Sequence, residues 1–335
     1  MILAASLVLI AGQLMPRYSV TMVDIGDASP GRVQMNANDE LAVTSAPAGE
    51  EGTFFWSDGH VTRIEIPDSS DFSGYVMTTG ISDKGTIVGY LRNNLKAQGP
   101  GIKWSTANGM STLHVVESDA DYLVEAIGAA NENIVGVPDD RDLPFLGTLS
   151  NSNFTRRASI ADIDLVSAPD INCHDVIVGT TQDNDGVGRA FRSEPGKPLV
   201  SLPVPPASDP HEWDSQAMAI NDSGYVVGFT HNERRGKGWC EGAIWSPKNE
   251  LTRFHDSAEI KFLGINNQGL VVGRKGAGSW PRAILFDSKS GLWDLNALVP
   301  VGTPVLREAY TINDRGTIAC SAMDGHLYLL RPISG

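Results

Sequence analysis

The residue types that most often carry catalysis are scattered along this chain and form no recognisable catalytic motif. The seven histidines show no zinc spacing, and the 335 residues contain no H-E-x-x-H, C-x-x-C, G-x-S-x-G, phosphate-loop or dinucleotide-binding glycine pattern. Three cysteines are too few for a disulfide framework. Local motifs therefore predict no catalytic residues, and we consider ligand binding first.

Two acidic segments resemble the start of a cation-binding loop. The segment Asp183–Gly186 begins like a calcium loop, but it lacks the third ligand position and the bidentate glutamate of the full motif. Asp139 and Asp140 belong to a similar segment that we interpret as a solvated loop. We predict no cofactor, and calcium is the alternative, with Asp183 and Asp185 as its candidate ligands.

A proline-rich loop at residues 203–214 carries two further candidates for ligand binding, His211 and Trp213. An aromatic side chain on a surface loop can anchor a partner, because it offers a large contact area with few rotatable bonds. The same loop is also explained as a long connection between two structural elements, and we favour that interpretation. Both interpretations stay open at this stage.

The charge balance excludes two classes of partner. Lysine and arginine number 26 against 40 aspartates and glutamates, which gives a formal net charge of −14. A general nucleic-acid binder needs a basic surface, and so does a protein that docks on anionic membranes. We therefore predict a protein or glycan partner and no nucleic acid. The hydrophobic fraction of 41% fits a chain that buries a core.

Residues 1–17 differ from the rest of the chain. An uncharged apolar run at residues 2–12 is too short to span a membrane of about 30 Å, but it fits the apolar region of a signal peptide. The alternative is a terminal strand or helix that is buried against the fold. We predict a leader at 1–17, a secreted or periplasmic protein with no stable membrane span, and one folded domain at 18–335.

Repetition is the strongest signal in the sequence. A nine-residue pattern is clearest in Ile220–Gly228 and Ile265–Gly273, and its seven copies begin at residues 35, 81, 128, 171, 220, 265 and 312. The pattern Asn-Asp-x-Gly between apolar runs predicts a tight β-hairpin, because the Asx side chain bonds nearby backbone and glycine accepts a positive φ. Length alone suggests about two domains, but this period predicts one ring.

Two more apolar clusters follow each hairpin, so each repeat predicts four strands, which is typical of a β-propeller blade. The last repeat ends before its fourth strand, whereas residues 18–25 form a strand without a repeat of their own. We therefore predict an all-β, seven-bladed β-propeller of four-stranded antiparallel blades, with about 45 residues per blade. The N-terminal strand would close the ring by completing the last blade, which removes an exposed sheet edge.

Equivalent positions in different repeats indicate packing roles. Trp56, Trp104 and Trp245 share one repeat position, which favours core packing over a ligand cage. Cys173 and Cys320 fall on different blades, so we expect no disulfide between them. Cys240 lies in a predicted loop, and we expect it to be exposed and free.

The repeats resemble the HAF-type extracellular repeat family, in which a His-Ala-Phe triplet follows a segment like I-N-D-x-G-x-V-V-G. The hairpins match over residues 18–335, but the triplet is altered here to Arg189-Ala190-Phe191, Gly242-Ala243-Ile244 and Arg282-Ala283-Ile284. The resemblance implies a propeller-like, exported, bacterial protein. It supplies no catalytic residues.

The predicted propeller groups the remaining candidates. Loops on one face carry most of the negative charge, with Asp119, Asp121, Asp139 and Asp140 as its representatives. A basic sector interrupts this acidic face at Arg234, Arg235, Lys237, Arg274, Lys275 and Arg282. Polar residues on the inner strands are candidate ligand contacts at the channel mouth, although pairing among themselves would satisfy them equally well. These candidates are Glu125, Gln216, Lys261, Arg307 and Glu308.

These observations favour an exported, monomeric binding or scaffold propeller that presents its acidic loop face to a partner. The alternative is a hydrolase or lyase with its active site at the mouth of the central channel, because catalytic residues need not be adjacent in sequence.

Overall fold

A computed structural model of the protein describes residues 18–26, 30–45, 52–66, 74–92, 98–113, 122–138, 145–150, 153–159, 164–182, 185–206, 212–232, 240–278 and 280–333. The predicted leader at 1–17 lies outside the described residues. No described helix has the length and apolar character that a membrane crossing requires.

The predicted all-β propeller with four-stranded antiparallel blades is confirmed, and the described strands form seven sheets of four strands. The inner strands, one in each blade, are β2 (Pro30–Met35), β6 (Tyr75–Ile81), β10 (Tyr122–Ile127), β14 (Asp164–Ile171), β18 (Asp214–Ile220), β22 (Ile260–Ile265) and β26 (Leu306–Ile312). The second strands are β3 (Leu41–Ser45), β7 (Ile87–Arg92), β11 (Ile134–Pro138), β15 (Ile177–Gln182), β19 (Val226–His231), β23 (Val271–Lys275) and β27 (Ile318–Ala322).

The third strands are β4 (Thr53–Ser57), β8 (Gln98–Ser105), β12 (Phe145–Ser150), β16 (Gly188–Ser193), β20 (Cys240–Trp245), β24 (Arg282–Asp287) and β28 (Leu327–Pro332). The outer strands are β5 (His60–Arg63), β9 (Gly109–Thr112), β13 (Asn153–Ser159), β17 (Val200–Ser201), β21 (Leu251–Phe254), β25 (Gly291–Asp294) and β1 (Tyr18–Val23). A short 3-10 helix follows β25 at Leu295–Ala297.

We number the blades 1 to 7 by their inner strands β2, β6, β10, β14, β18, β22 and β26. In blades 1 to 6 the strands pair in chain order. In blade 7 the outer position belongs to β1, which pairs antiparallel with β28 from Tyr18 opposite Pro332 to Val23 opposite Leu327. Each blade packs against the next, and β26 of blade 7 contacts β2 of blade 1.

The core lies between neighbouring blades, so the second strands are buried on both faces. Residues Leu41–Ser45 of β3 are all buried, and Leu41 and Val43 pack with Leu327 and Leu329 of blade 7. The predicted packing role of the repeated tryptophans is confirmed, since Trp56, Trp104 and Trp245 are only 3%, 7% and 0% exposed. Burial of such large side chains is a major favourable contribution to folding.

The cysteines agree with the sequence analysis in one respect and differ in another. All three are free, and Cys173 and Cys320 lie in blades 4 and 7, which agrees with their predicted placement on different blades. The expected exposure of Cys240 is wrong, because this residue is buried. Cys240 is the first residue of strand β20 and lies opposite His231 of β19. Strand β20 packs against β22 of the next blade.

A glycine in the second strand is required by a bulge in the inner strand. The register of blade 5 shifts between Ala217 and Ala219, and this shift brings the Gln216 carbonyl oxygen against Gly228. A Cβ on Gly228 would lie 1.9 Å from that oxygen. The corresponding distances at Gly179 and Gly273 are 2.0 Å. The final glycine of the repeat therefore permits close approach of two backbones.

The turns between inner and second strands, which we call the inner turns, are held by Asx side chains as the sequence predicts. In blade 6, Oδ1 of Asn266 accepts the backbone N–H groups of Gln268 and Leu270 at 3.1 and 3.0 Å. In blade 7, Oδ1 of Asn313 accepts those of Arg315 and Thr317. One side-chain oxygen thus stabilises each turn locally.

The amide nitrogens of the same asparagines bond to the neighbouring blade. In each bond, Nδ2 donates to the backbone oxygen at the equivalent position of the next inner turn, at 2.9 to 3.1 Å. We call this chain of bonds the amide ladder. Its steps are Asn172 to Asn221, Asn221 to Asn266, Asn266 to Asn313, Asn313 to Asn36, and Asn36 to Ser82.

Acidic residues connect the junctions that the amide ladder leaves out. The turn glycine is replaced in blades 3 and 4 by Glu132 and Asp175, which adopt φ values of 55° and 58°. Glu132 accepts bonds from the hydroxyls of Thr86 and Ser82 in blade 2 at 2.7 and 3.1 Å. Asp175 accepts the side-chain amide of Asn133 in blade 3. These inter-blade bonds offset a left-handed backbone that costs about 1 kcal/mol.

Substituting Gly228 by alanine should destabilise the protein by at least about 2 kcal/mol, because the new methyl group must displace a backbone carbonyl. Gly188→Ala is the matched control, since its Cβ would meet its nearest neighbour, the Thr180 methyl, at 3.6 Å, which is ordinary van der Waals contact. That variant should change the free energy of unfolding by about 0.5 kcal/mol or less. Urea denaturation measures both variants, and equal effects would contradict the close approach at Gly228.

Asn266→Asp keeps an oxygen for the turn but removes the donor to Asn313, so it tests the amide ladder separately from the turn. The loss of the inter-blade bond, with two oxygens now facing each other, should cost about 1 to 3 kcal/mol. Asn108→Asp makes the same chemical change in an exposed outer turn. Asn266→Asp should therefore have a lower melting temperature than Asn108→Asp. Equal melting temperatures would contradict a stabilising role of the amide ladder.

The Glu132 carboxylate should make stability depend on pH. Although partial burial raises its pKa, bonds from Lys84, Thr86 and Ser82 dominate and lower it from 4.5 to about 2. Ionised Glu132 therefore stabilises the fold above pH ~4.5, and this contribution is lost as the pH falls toward ~2. Glu132→Gln should be less stable than the wild type in urea at pH ~7, and the difference should shrink at pH ~3. A pH-independent difference would contradict the ion pair with Lys84.

Candidate binding site in the central channel

The inner strands and inner turns of all seven blades surround a cavity of about 940 Å³ along the axis of the ring. Each inner strand contributes side chains because its pleat and bulges direct alternate residues away from the inter-blade core. The volume falls in the range of pockets that hold small ligands or short peptide segments. The cavity is therefore the candidate binding site.

The lining of the cavity is strongly acidic. Arg32 is the one cationic residue among the described lining residues, which include six carboxylates. The acidic residues are Asp83, Glu125, Asp170, Asp222, Glu308 and Asp314. A low-dielectric wall around charges of one sign focuses their field into the cavity. The described lining therefore has a net negative formal charge.

Three of these carboxylates belong to the inner turns and are oriented by the blade before them. Asp83 Oδ1 accepts the backbone N–H of Ala37 at 2.9 Å. Asp222 Oδ1 accepts that of Cys173 at 3.0 Å, and Asp314 Oδ1 accepts that of Asn267 at 2.8 Å. The same bonds that join neighbouring blades thus fix the direction of the acidic groups at this mouth.

The other three carboxylates lie deeper in the wall. Asp170 accepts the backbone N–H of Ile171 and that of Ile220 in the next blade, at 2.9 and 2.8 Å. Burial nevertheless raises the pKa of Asp170 to about 7. Burial also raises the pKa of Glu125, which accepts one long bond of 3.4 Å from the Ala168 N–H. Burial thus disfavours ionisation of both acids, and the positive charge of Arg32 opposes this effect at Glu125.

Glu308 has a cationic neighbour. Its Oε1 lies 3.4 Å from Nε of Arg274 in blade 6. Burial raises the pKa of Glu308, and the positive charges of Arg274, Lys261 and Arg307 act against this rise. Part of the predicted basic sector is thus directed at the channel wall, whereas Lys275 pairs with Asp256 at 2.8 Å.

The structure brings together some of the predicted site residues and separates others. Glu125, Gln216 and Glu308 line the cavity. Lys261 and Arg307 are not among its lining residues, and the Lys261 ammonium lies 4.3 Å from the centre of the Phe229 ring. Trp213 is buried at 2% exposure and packs under the Arg253 guanidinium, away from the cavity.

Of the remaining predicted residues, Asp185 is exposed in a turn. The candidates that lie outside the described residues are His211, Asp119, Asp121, Asp139, Asp140 and Asp183. Arg234, Arg235 and Lys237 of the predicted basic sector also lie outside them.

Sequence reasoning missed two groups of channel residues. Arg32 and Asp170 lie in inner strands whose repeats are partly degenerate, so their position was not apparent. Cys173, His174 and Asp222 meet at the channel rim although Asp222 is 49 residues from Cys173 in sequence. The available signal was their repeat position, since Cys173 and Asp222 are both the second residue after the first apolar residue of a copy.

Comparison with known proteins supports the propeller architecture. No family model matches the chain, and no curated protein matches it. A catalytically inactive virginiamycin B lyase from Staphylococcus aureus, solved with quinupristin, is 10% identical with a TM-score of 0.58, covering 94% of this chain and 100% of the lyase chain. YCF48 bound to D1 peptide is 13% identical with a TM-score of 0.56, covering 95% and 97% of the two chains.

The extracellular domain of a one-component system from B. thetaiotaomicron is also similar. It is 9% identical with a TM-score of 0.55, and the match covers 95% of this chain and 40% of that one. At such low identity these likenesses show the fold alone.

Proposed function

We propose that the protein is a non-enzymatic binding propeller whose acidic channel takes a basic group of a peptide or protein partner. The observation that carries this proposal is the lining of the cavity, where six carboxylates face one guanidinium. A lysine or arginine side chain that enters the channel would add positive charge to a lining in which carboxylates outnumber cationic groups. Electrostatic complementarity of this kind mainly sets specificity and association rate.

Glu125 is the best candidate for direct contact with the bound cation. It projects from a bulge in β10 between Val124 and Ala126 and lines the cavity. Its one described hydrogen bond, from Ala168 at 3.4 Å, leaves most of its acceptor capacity free. A bound ammonium or guanidinium would satisfy the carboxylate and favour its ionised form.

Propellers of this shape can hold a peptide, as YCF48 does with D1 peptide. The acidic loop residues Asp119, Asp121, Asp139 and Asp140 would extend the negative field beyond the channel and help to steer a basic partner. We also propose that the closed seven-bladed ring acts as a monomer, that it is exported after removal of residues 1–17, and that it belongs to the HAF-type repeat proteins.

The enzyme alternative has less support from the channel. A lyase with this fold is known, but no histidine is found among the described lining residues. The Cys173 thiol at the rim is not activated as a nucleophile, because partial desolvation and the Asp222 carboxylate, which accepts a hydrogen bond from the thiol, raise its pKa to about 11. The arrangement therefore favours binding over nucleophilic catalysis.

Fluorescence anisotropy with a labelled lysine-rich peptide and a glutamate-rich peptide tests the proposal. The full chain should bind the lysine-rich peptide, and binding should weaken as salt is raised. Glu125→Gln should reduce the affinity about tenfold, which corresponds to loss of one close charge pair. Glu65→Gln is the matched control, because Glu65 is exposed and does not line the cavity. Equal affinities of the two variants, or no binding by the wild type, would overturn the proposal.

A further inference from the structure

The rim of the channel between blades 4 and 5 brings together three side chains that are typical metal ligands. Cys173 and His174 are consecutive residues in the inner turn of blade 4, and Asp222 lies in the inner turn of blade 5. Sγ of Cys173 lies 3.2 Å from Nδ1 of His174. The thiol, imidazole and carboxylate donor atoms all lie within 4.8 Å of one another.

We propose that Cys173, His174 and Asp222 form a mononuclear site for Zn²⁺ or a similar borderline divalent cation. Thiolate, imidazole and carboxylate are the donors that zinc uses in proteins, and three protein ligands leave a fourth position for water or another ligand. The mixed soft and hard donors disfavour Ca²⁺ and Mg²⁺, which prefer oxygen ligands alone. This site shares Asp222 with the acidic lining of the channel, but its metal binding does not require the peptide binding proposed there.

The distance between the thiol sulfur and the imidazole nitrogen suits a tetrahedral ion. Zn–S and Zn–N bonds of about 2.3 and 2.0 Å place the two donor atoms about 3.5 Å apart in tetrahedral geometry. The observed separation of 3.2 Å between Sγ and Nδ1 therefore needs only a small opening. On binding, the cation replaces the thiol proton, which passes to solvent, and no electron is transferred.

The ligands are held in place before any metal binds. Asp222 Oδ1 accepts the Cys173 N–H at 3.0 Å, and Oδ2 accepts Nδ2 of Asn267 at 2.7 Å. The carboxylate also accepts a hydrogen bond from the Cys173 thiol, and the cation would take the place of that proton. The two turns are joined by the amide ladder through Asn172 and Asn221 at 3.1 Å. Such supporting bonds orient metal ligands and strengthen binding.

Access to the site is open. Cys173 and His174 are exposed, and Cys173 and Asp222 line the cavity. The other two cysteines are buried, so they do not compete for an added metal. Several inner turns carry other residues at the positions of Cys173 and His174. They are Ala37 and Asn38, Asp83 and Lys84, Asp222 and Ser223, Asn267 and Gln268, and Asp314 and Arg315.

Cobalt and zinc titrations of the metal-free full-length protein test this site. Co²⁺ should bind with one-to-one stoichiometry and give a thiolate-to-cobalt charge-transfer band, and Zn²⁺ should abolish the band by displacement. Cys173→Ser should lose the band, and His174→Ala or Asp222→Asn should weaken binding at least about tenfold. His60→Ala is the control, because His60 is an exposed histidine on the outer strand of blade 1.

A band that persists in Cys173→Ser would overturn the proposal. Metal binding that is equally tight in His174→Ala and the wild type would overturn it too, and so would several equivalent weak sites. Cys173 and His174 are exposed and Asp222 is half-buried, and thermal unfolding checks that all three variants fold. The outcome is separable from the channel function, because Glu125→Gln should leave the cobalt affinity unchanged, whereas His174→Ala, which removes a side chain that does not line the cavity, should leave binding of the lysine-rich peptide unchanged.

Discussion

The bond from each turn asparagine to the backbone of the next blade is the interaction on which the rest of this structure depends. A blade buries its apolar faces only against its neighbours, so the ring needs a device that sets the relative height and rotation of adjacent sheets. Apolar packing does not supply it, because contacts such as those of Leu41 with Leu327 are non-directional. The amide of Asn313 supplies direction, since it donates to Asn36 across the junction of the last and first blades. The same side chain also closes its own turn.

Fixing the inner turns also fixes the chemistry of the channel mouth. In three blades the carboxylate of an inner-turn residue accepts an N–H from the preceding turn. Asp222 and Asp314 follow a ladder asparagine, and Asp83 follows Ser82, which accepts the last bond of the ladder. The same hydrogen bonds therefore stabilise the contact between neighbouring blades and orient the carboxylates at the channel mouth. Deeper acids such as Glu125 lack such compensation, because their bulged strand points them into the cavity with one long bond. A binding protein can use this difference, because the groups left unsatisfied by the fold are those that gain most from a ligand.

The parts of this architecture that depend on local pattern could be predicted from the sequence, and the parts that depend on junctions could not. The Asx turns, the four-stranded blades and the packing of Trp245 follow from residue types at short spacing. The hydrogen bond from the Asn266 amide to the next blade could not be predicted in this way, because its partner Asn313 is 47 residues away. Cys240 was misassigned for a related reason, since its burial comes from the neighbouring blade. Glu125 and Glu308 were identified from inner-strand position alone, and their charge environment required the closed ring.

The degenerate repeats are informative because each loss from the pattern comes with a specific contact. Glu132 and Asp175 replace turn glycines and adopt the left-handed backbone conformation. If their side chains simply reached into solvent, nothing would offset the resulting backbone strain. Each carboxylate instead bonds to the preceding blade, at junctions that have no ladder amide. Cys173 and His174 occupy turn positions that carry other residues in several sister repeats, and they face Asp222, which keeps the consensus residue. The regular repeats thus form a frame that is hydrogen-bonded across its remaining junctions. Such a frame tolerates local change, so new side-chain chemistry enters at the copies that depart from the repeat pattern.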